Sequence, residues 1–212
     1  MRHSTRVLDP LGMHRTQFEV NSEIASDLAT GYAIQADGQA DTTASTRELS
    51  GGRGYRVPNG SIFTTIDDLS RFLSFELGRG PESVLPHAAL DSTYAGLIAT
   101  STDDEFGYAV GFMLQHRDDF PYLGHSGGVP GSQAVMYFDR DHQLGAILLR
   151  NASGGKASIN RLAPDMLKTR ILAKLAANAP RRNQAACRNQ GVRDLDPIKG
   201  SEILIRSRSL TP

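Results

Sequence analysis

"FGYAVGFMLQHRDDFPYLGHSGGVPGSQAVMYFDRDHQLGAILLRN", residues 106–151, sets the architecture of this chain. "FGYAVGFMLQH" (106–116), "YLGHSGG" (122–128), "SQAVMYFDR" (132–140) and "QLGAILLRN" (143–151) read as successive strands. "RDDFP", "GVPG" and "DRDH" join them, the last a polar turn at hairpin spacing. The expectation is an antiparallel meander of three or four strands.

Helices flank it. Downstream, "SINRLAPDMLKTRILAKLAANA" (158–179) predicts an amphipathic helix that covers one sheet face with Leu162, Met166, Leu167, Ile171, Leu172 and Leu175. Pro164 fits there only near the first turn, because proline has no N–H to donate. Upstream, "TTIDDLSRFLSFELG" (64–78) predicts a second helix. Thr64 or Thr65 caps it, Asp67 and Asp68 suit the positive end of its dipole, and Gly78 ends it. A short helix is expected near 86–98, and a short strand and turn in "TGYAIQADGQA" (30–40). "LSGGRGYRVPNG" (49–60) reads as loop. The fold class is therefore α+β, an antiparallel sheet packed by helices.

The 212 residues hold 39% hydrophobic and 22% charged residues, a globular balance rather than a disordered one. Lys plus Arg and Asp plus Glu are both 23, so net charge points to no nucleic-acid partner. The single cysteine, Cys187, cannot form an intrachain disulfide. The longest apolar run, "LGAILL" (144–149), falls far short of the roughly 20 residues of a membrane helix. "MRHSTRVLDP" has no signal-peptide character, and the compartment stays open. His87, His116 and His142 lack metal-ligand spacing, and no metal or organic cofactor is implied. Asp118-Asp119 and Asp103-Asp104-Glu105 read as solvated loop charges. From about Pro180 the pattern is lost: residues 1–177 read as one domain and 178–212 as a loosely ordered basic tail, with "EILIRS" (202–207) a stray strand.

"GHSGG", 124–128, is the stretch that can carry chemistry. Gly124, Gly127 and Gly128 let a substrate approach the strand closely. His125 or Ser126 can point into a cleft, and a free N–H such as that of Gly128 can stabilise an oxyanion. Tyr122, just before it, is a candidate for lining the cleft. Tyr55 and Tyr108 could also line it, although tyrosines on strands more often pack.

The order "PLGM", "VPNGSIFTTIDDLSRFL", "YAVGF", "GHSGGVPG", "QLGAILLRN" resembles the C-terminal part of serine hydrolases related to β-lactamases and penicillin-binding proteins. The resemblance runs from about Arg6 to Ala177. It implies a β-lactamase/transpeptidase-like fold, incomplete on its N-terminal side, and an acyl-enzyme mechanism on amide or ester bonds: a β-lactam, a D-Ala-D-Ala peptide or a short ester. It also implies a site of three motifs: S-x-x-K, Y-x-N or S-x-N, and a strand with K-T-G or H-x-G. His125, Ser126 and Gly127 stand where the third motif stands, with Gly128 as the oxyanion donor.

The first two motifs belong upstream of "PLGM", where only about ten residues precede it. The lookalikes "SGGK" (153–156) and "SIN" (158–160) read as a strand-to-helix turn and a helix N-cap, since glycine costs roughly 1 kcal/mol in a helix. The chain is therefore expected to be the back part of such an enzyme and inactive alone. "RVLDPLGMHRTQF" (6–18) reads as the end of an element that begins earlier. Its partners would be a small-molecule or peptide substrate and a separately encoded N-terminal half. The alternative is a non-catalytic module of the same fold that binds a peptide or a cell-wall fragment. An unpaired strand edge, an exposed apolar face and marginal stability are expected.

Overall fold

The computed structural model describes residues 4–46, 60, 62–95, 98–99, 107–118 and 120–178. The chain divides into a unit Met1–Lys174 and a unit Leu175–Pro212. The expectations for residues 49–59, for Asp103, Asp104 and Glu105, for Asp119, and for the segment from 179 on fall outside the described residues.

A six-stranded antiparallel sheet forms the centre, in the order β3 (Ile98–Ala99), β4 (Gly107–Tyr108), β5 (Met113–Arg117), β6 (Phe120–Val129), β7 (Ser132–Asp139), β8 (Leu144–Arg150). The meander is present, but its first strand is two. Between Tyr108 and Met113 the chain turns, with the Ala109 N–H donating to the Phe112 carbonyl at 2.8 Å and Gly111 at φ 82°. That φ lies where glycine is favoured, so the backbone bends there rather than running straight.

Sheet register follows from the hairpins. β6 and β7 pair without a slip from Leu123↔Phe138 to Val129↔Ser132, and β7 and β8 from Gln133↔Arg150 to Asp139↔Leu144. Pro130 and Gly131 alone separate Val129 from Ser132, so those two close the hairpin as a bonded pair. Counting back by twos, the odd-numbered residues of β6 exchange bonds with β7. Its even-numbered residues turn their N–H and C=O groups to the other side. The tight turn at Arg117↔Phe120 gives the same parity.

Each face of the sheet has its own core. Strand side chains alternate, so Val135 and Tyr137 of β7 face one way, Met136 and Phe138 the other. Val135 and Tyr137 pack with Tyr122 and with Ile159, Ala163, Leu167 and Ile171 of α3 (Ile159–Asn178). Phe138 packs with Leu8, Leu11, Met13, Leu73, Phe75, Leu90 and Tyr94. These come from the N-terminal turn, α1 (Ile66–Ser74), the turn that follows it, and α2 (His87–Ala95), the short helix expected near 86–98.

The face of α3 corrects the sequence expectation. Ile159, Ala163, Leu167 and Ile171, spaced by four, are buried, whereas Leu162 and Leu172 are 45% and 55% exposed. A stripe of period 3.6 has room for one of two apolar sets, and the sheet takes the set containing the small Ala163. Pro164 sits one turn deeper than expected, as the sixth residue of α3, buried on this face. The helix begins instead with the Arg161 and Leu162 N–H groups donating to the Ser158 carbonyl at 3.1 and 3.0 Å.

α1 begins where the sequence places it. The Thr65 side chain accepts from the Asp68 N–H at 3.2 Å. Asp68, buried, also accepts from the Arg15 N–H, the Thr16 hydroxyl and the Arg71 guanidinium, each at 2.8 Å. Its carboxylate thus ties the "PLGMHRT" segment to the helix start, with charge-assisted bonds that suit a buried anion. The remainder of the predicted helix is a π-helical turn, Phe75–Arg79, that ends at Gly78, φ 77°. β1 (Gly31–Ile34) and β2 (Ala40–Thr46) form the small hairpin, and β9 (Ala152–Ser153) joins it parallel to β1.

Candidate functional site

β6 changes surroundings along its length. β5 covers it from Phe120 to Gly124, where Met113, the first residue of β5, stands opposite. From His125 onward β6 is paired only with β7 among the described residues. By the parity above, the N–H groups of Ser126 and Gly128 point off this uncovered edge. Each of these two backbone donors, with no ladder partner, is placed to hold an anionic oxygen.

The three motif glycines do different things. A Cβ on Gly124 would stand 2.1 Å from the Met136 carbonyl oxygen and 2.4 Å from the Tyr137 ring, at φ 153°. That glycine lets β6 and β7 close over Tyr137. Nothing lies within 4 Å of the Cβ position of Gly127, and Gly128 has ordinary clearance, 3.5 Å to Gln133. These two leave open space above the edge. The Gly131 N–H donates to Ser153 Oγ and pins the turn at the end of the hairpin. Gly60, the last residue of "VPNG", comes to the same tip: its Cβ position is 3.7 Å from Val129 Cγ1.

His125 is exposed, and both of its ring nitrogens are engaged. Nδ1 lies 2.8 Å from the Ser126 carbonyl and Nε2 3.1 Å from the Tyr108 hydroxyl. The Tyr108 and His125 rings meet edge to face, 6.0 Å apart at 85°. Tyr108, 40% exposed, therefore stands beside His125 rather than in either core. Gly111, whose bend ends β4 beside it, was the available signal.

Tyr122 is not brought to the site. It is buried beneath α3, edge to face with Tyr137 at 4.9 Å, and its hydroxyl donates to Gln115 Oε1 at 3.1 Å. Burial raises its phenol pKa. His125 lies three positions further along β6, and an odd step on a strand exchanges faces. The register partner of His125, Met136, packs with the opposite core. Ser126 pairs with Val135 and so shares the α3 side of the sheet, half-buried.

"SGGK" lacks the geometry that S-x-x-K chemistry needs, serine and lysine on one helical turn. Ser153 ends β9, Gly154 and Gly155 follow at φ 125° and 138°, and the Lys156 side chain lies against Gly38. "SIN" is the start of α3. His87 and His142 have carboxylate neighbours, Glu82 at 3.3 Å and Asp139 at 2.8 Å. Among the described residues no three His, Cys, Asp or Glu side chains gather as a metal site, and no helix is long and apolar enough to cross a membrane.

The family model for Beta-lactamase matches residues 4–170. "Putative beta-lactamase-like 1" of Homo sapiens is 27% identical over 155 residues, 69% of this chain and 28% of that protein. The D-amino acid amidase from Ochrobactrum anthropi SV3, solved with L-phenylalanine amide, is 20% identical with a TM-score of 0.58, over 82% of this chain and 50% of that one. The D-alanine carboxypeptidase from Burkholderia cenocepacia is 18% identical, also at 0.58, over 80% of this chain and 53% of that one. The chain thus spans about half the length of these structures and less of the human protein. The shared fold is an α+β one, antiparallel strands packed by helices.

Proposed function

This chain belongs to the beta-lactamase family, and from that premise we propose that it carries one wall of a serine-hydrolase site whose nucleophile lies outside these 212 residues. In this reading His125, Ser126, Gly127 and Gly128 are the third-motif strand. A serine from an S-x-x-K helix attacks an amide or ester carbonyl, and the negative charge collects on the carbonyl oxygen. The Gly128 N–H and the nucleophile's own N–H hold that oxygen, a lysine or tyrosine carries the proton, and water then releases the acyl group. The uncovered edge of β6 is the observation that supports it: two outward N–H groups, open space over Gly127, and His125 exposed beside them.

The amidase and carboxypeptidase among the solved relatives favour an acyl-transfer substrate: a D-amino acid amide, a D-Ala-D-Ala peptide, a β-lactam or a short ester. Residues 1–177 would form the hydrolase part, 178–212 a tail beyond it, and residues supplied from upstream or by a second polypeptide the remainder. Alone, the chain has no acyl-transfer activity, because losing the nucleophile of a serine site costs several orders of magnitude in rate. Reading the coding region 5′ of Met1 in three frames tests this. S-x-x-K followed by Y-x-N, in frame or one frameshift away, is expected. Their absence over a few hundred codons would overturn it.

A further inference from the structure

We propose that Tyr108 is the positioning residue of His125: with the Ser126 carbonyl holding Nδ1–H, its hydroxyl donates to the basic nitrogen, Nε2, and keeps that nitrogen in a fixed place beside the free edge of β6. The proposal rests on the serine-hydrolase reading only for its purpose. Its geometry stands on four observations.

The first is chemical. The Ser126 carbonyl has no hydrogen, so the 2.8 Å contact from His125 Nδ1 is a bond only if Nδ1 carries the proton. In the neutral ring Nε2 is then the acceptor, and the group 3.1 Å from it, the Tyr108 hydroxyl, is a donor that matches it. The carbonyl contact requires this tautomer, and the tyrosine contact fits it.

The second is the backbone. Tyr108 closes β4 and pairs with Met113, which in turn stands opposite Gly124. Tyr108 is thus held two strands from β6 at the level where β5 stops, and only there can a long side chain cross the end of β5 to reach His125. The bend at Gly111, φ 82°, sets that end point.

The third is the edge-to-face ring contact, 6.0 Å between centroids at 85°. It places the imidazole edge-on to the phenol and restricts its rotation. The fourth is exposure: neither residue is buried, Tyr108 being 40% exposed, so the pair is open to a ligand over Gly127 rather than locked into a core.

This arrangement does what an isolated surface histidine does not. A donor X–H that reaches the phenol oxygen can give it a proton while the phenol passes its own to Nε2. The products are X⁻, an unchanged tyrosine and an imidazolium still bonded through Nδ1–H to Ser126. Nothing else is consumed, and the ring keeps its place in both states. A buried orienting group behind the ring is the usual device for fixing a tautomer; here a backbone carbonyl one residue away takes that part.

The test uses the full chain with ¹⁵N-labelled histidine and reads the two ring nitrogens by NMR above the titration of the ring. His125 is expected to show a protonated Nδ1 and an acceptor Nε2. In Tyr108→Phe the Nε2 signal moves toward that of a free acceptor and the share of the Nε2–H form rises, while backbone amide signals in β7 and α3 stay in place. Should Tyr108→Phe not fold, His125→Ala supplies the reciprocal reading: the Tyr108 ring carbon that bears oxygen shifts when its acceptor is lost. A wild-type His125 protonated on Nε2 overturns the proposal, and so do ring signals that ignore Tyr108→Phe. No substrate enters the measurement, so its failure would leave the hydrolase reading standing, and the absence of upstream motifs would leave the tautomer assignment standing.

Discussion

Gly124 and Met136 stand so close that a Cβ on the first would lie 2.1 Å from the carbonyl oxygen of the second. The motif glycine is thus a packing necessity between β6 and β7. Gly124→Ala is expected to cost about 1–3 kcal/mol, the range of overpacked sites. Gly127→Ala, with nothing within 4 Å, should leave stability unchanged. Urea midpoints of the two variants check this, and equal midpoints would contradict it.

The phase of α3 gives a second contrast. Leu167 is buried at 2% exposure against Tyr137 and Val135, and Leu172 is 55% exposed. Leu167→Ala should destabilise by about 2–5 kcal/mol. Leu172→Gln should change the unfolding midpoint little. The reverse order would mean that α3 presents its other face to the sheet.

Glu76 is buried, with the Tyr94 hydroxyl donating to it and Arg140 over the Tyr94 ring at 4.7 Å. Burial raises its carboxyl pKa, against the opposing pull of Tyr94 and Arg140. The folded state therefore binds this proton more tightly than the unfolded chain does. Stability is full below the unfolded value and declines as pH rises through the folded one. Glu76→Gln keeps an acceptor for Tyr94 and should flatten this part of the stability curve. An unchanged slope, measured by denaturant midpoints across the acid-to-neutral range, would contradict it.

β8 has no partner on its outer side among the described residues. By the register with β7, the N–H groups of Gly145, Ile147 and Leu149 face that side. Their amides should exchange faster than those of Ala146 and Leu148. Uniform protection along β8 would show that another strand covers the edge, the association hazard an open edge carries.

The strands were legible because short polar or Pro-Gly turns separate alternating runs, and α1 because Thr65, Asp67 and Asp68 mark its start. Periodicity gives an element more readily than its phase. α3 has apolar residues enough for two stripes, and only the sheet decides that Leu167 turns in and Leu172 out. The same limit applies to the tyrosines. Tyr122 and Tyr108 both sit on strands with a glycine within two residues, and the faces they take depend on register and on the bend at Gly111, which a single chain read in order does not display. His125 stands out in the sequence because its glycine neighbours mark it. That Tyr108, named there only as possible cleft lining, meets it is not legible, because the two lie 17 positions apart and strand pairing brings them together.

Hydrolysis of a p-nitrophenyl ester or a chromogenic cephalosporin by the purified chain, with its intact mass recorded afterwards, tests the central claim most directly. The expected result is background turnover and an unmodified mass, because the proposed function gives His125, Ser126 and Gly128 one wall of the site and places the nucleophile elsewhere. Turnover with an acyl adduct on this chain, abolished by His125→Ala, would contradict it.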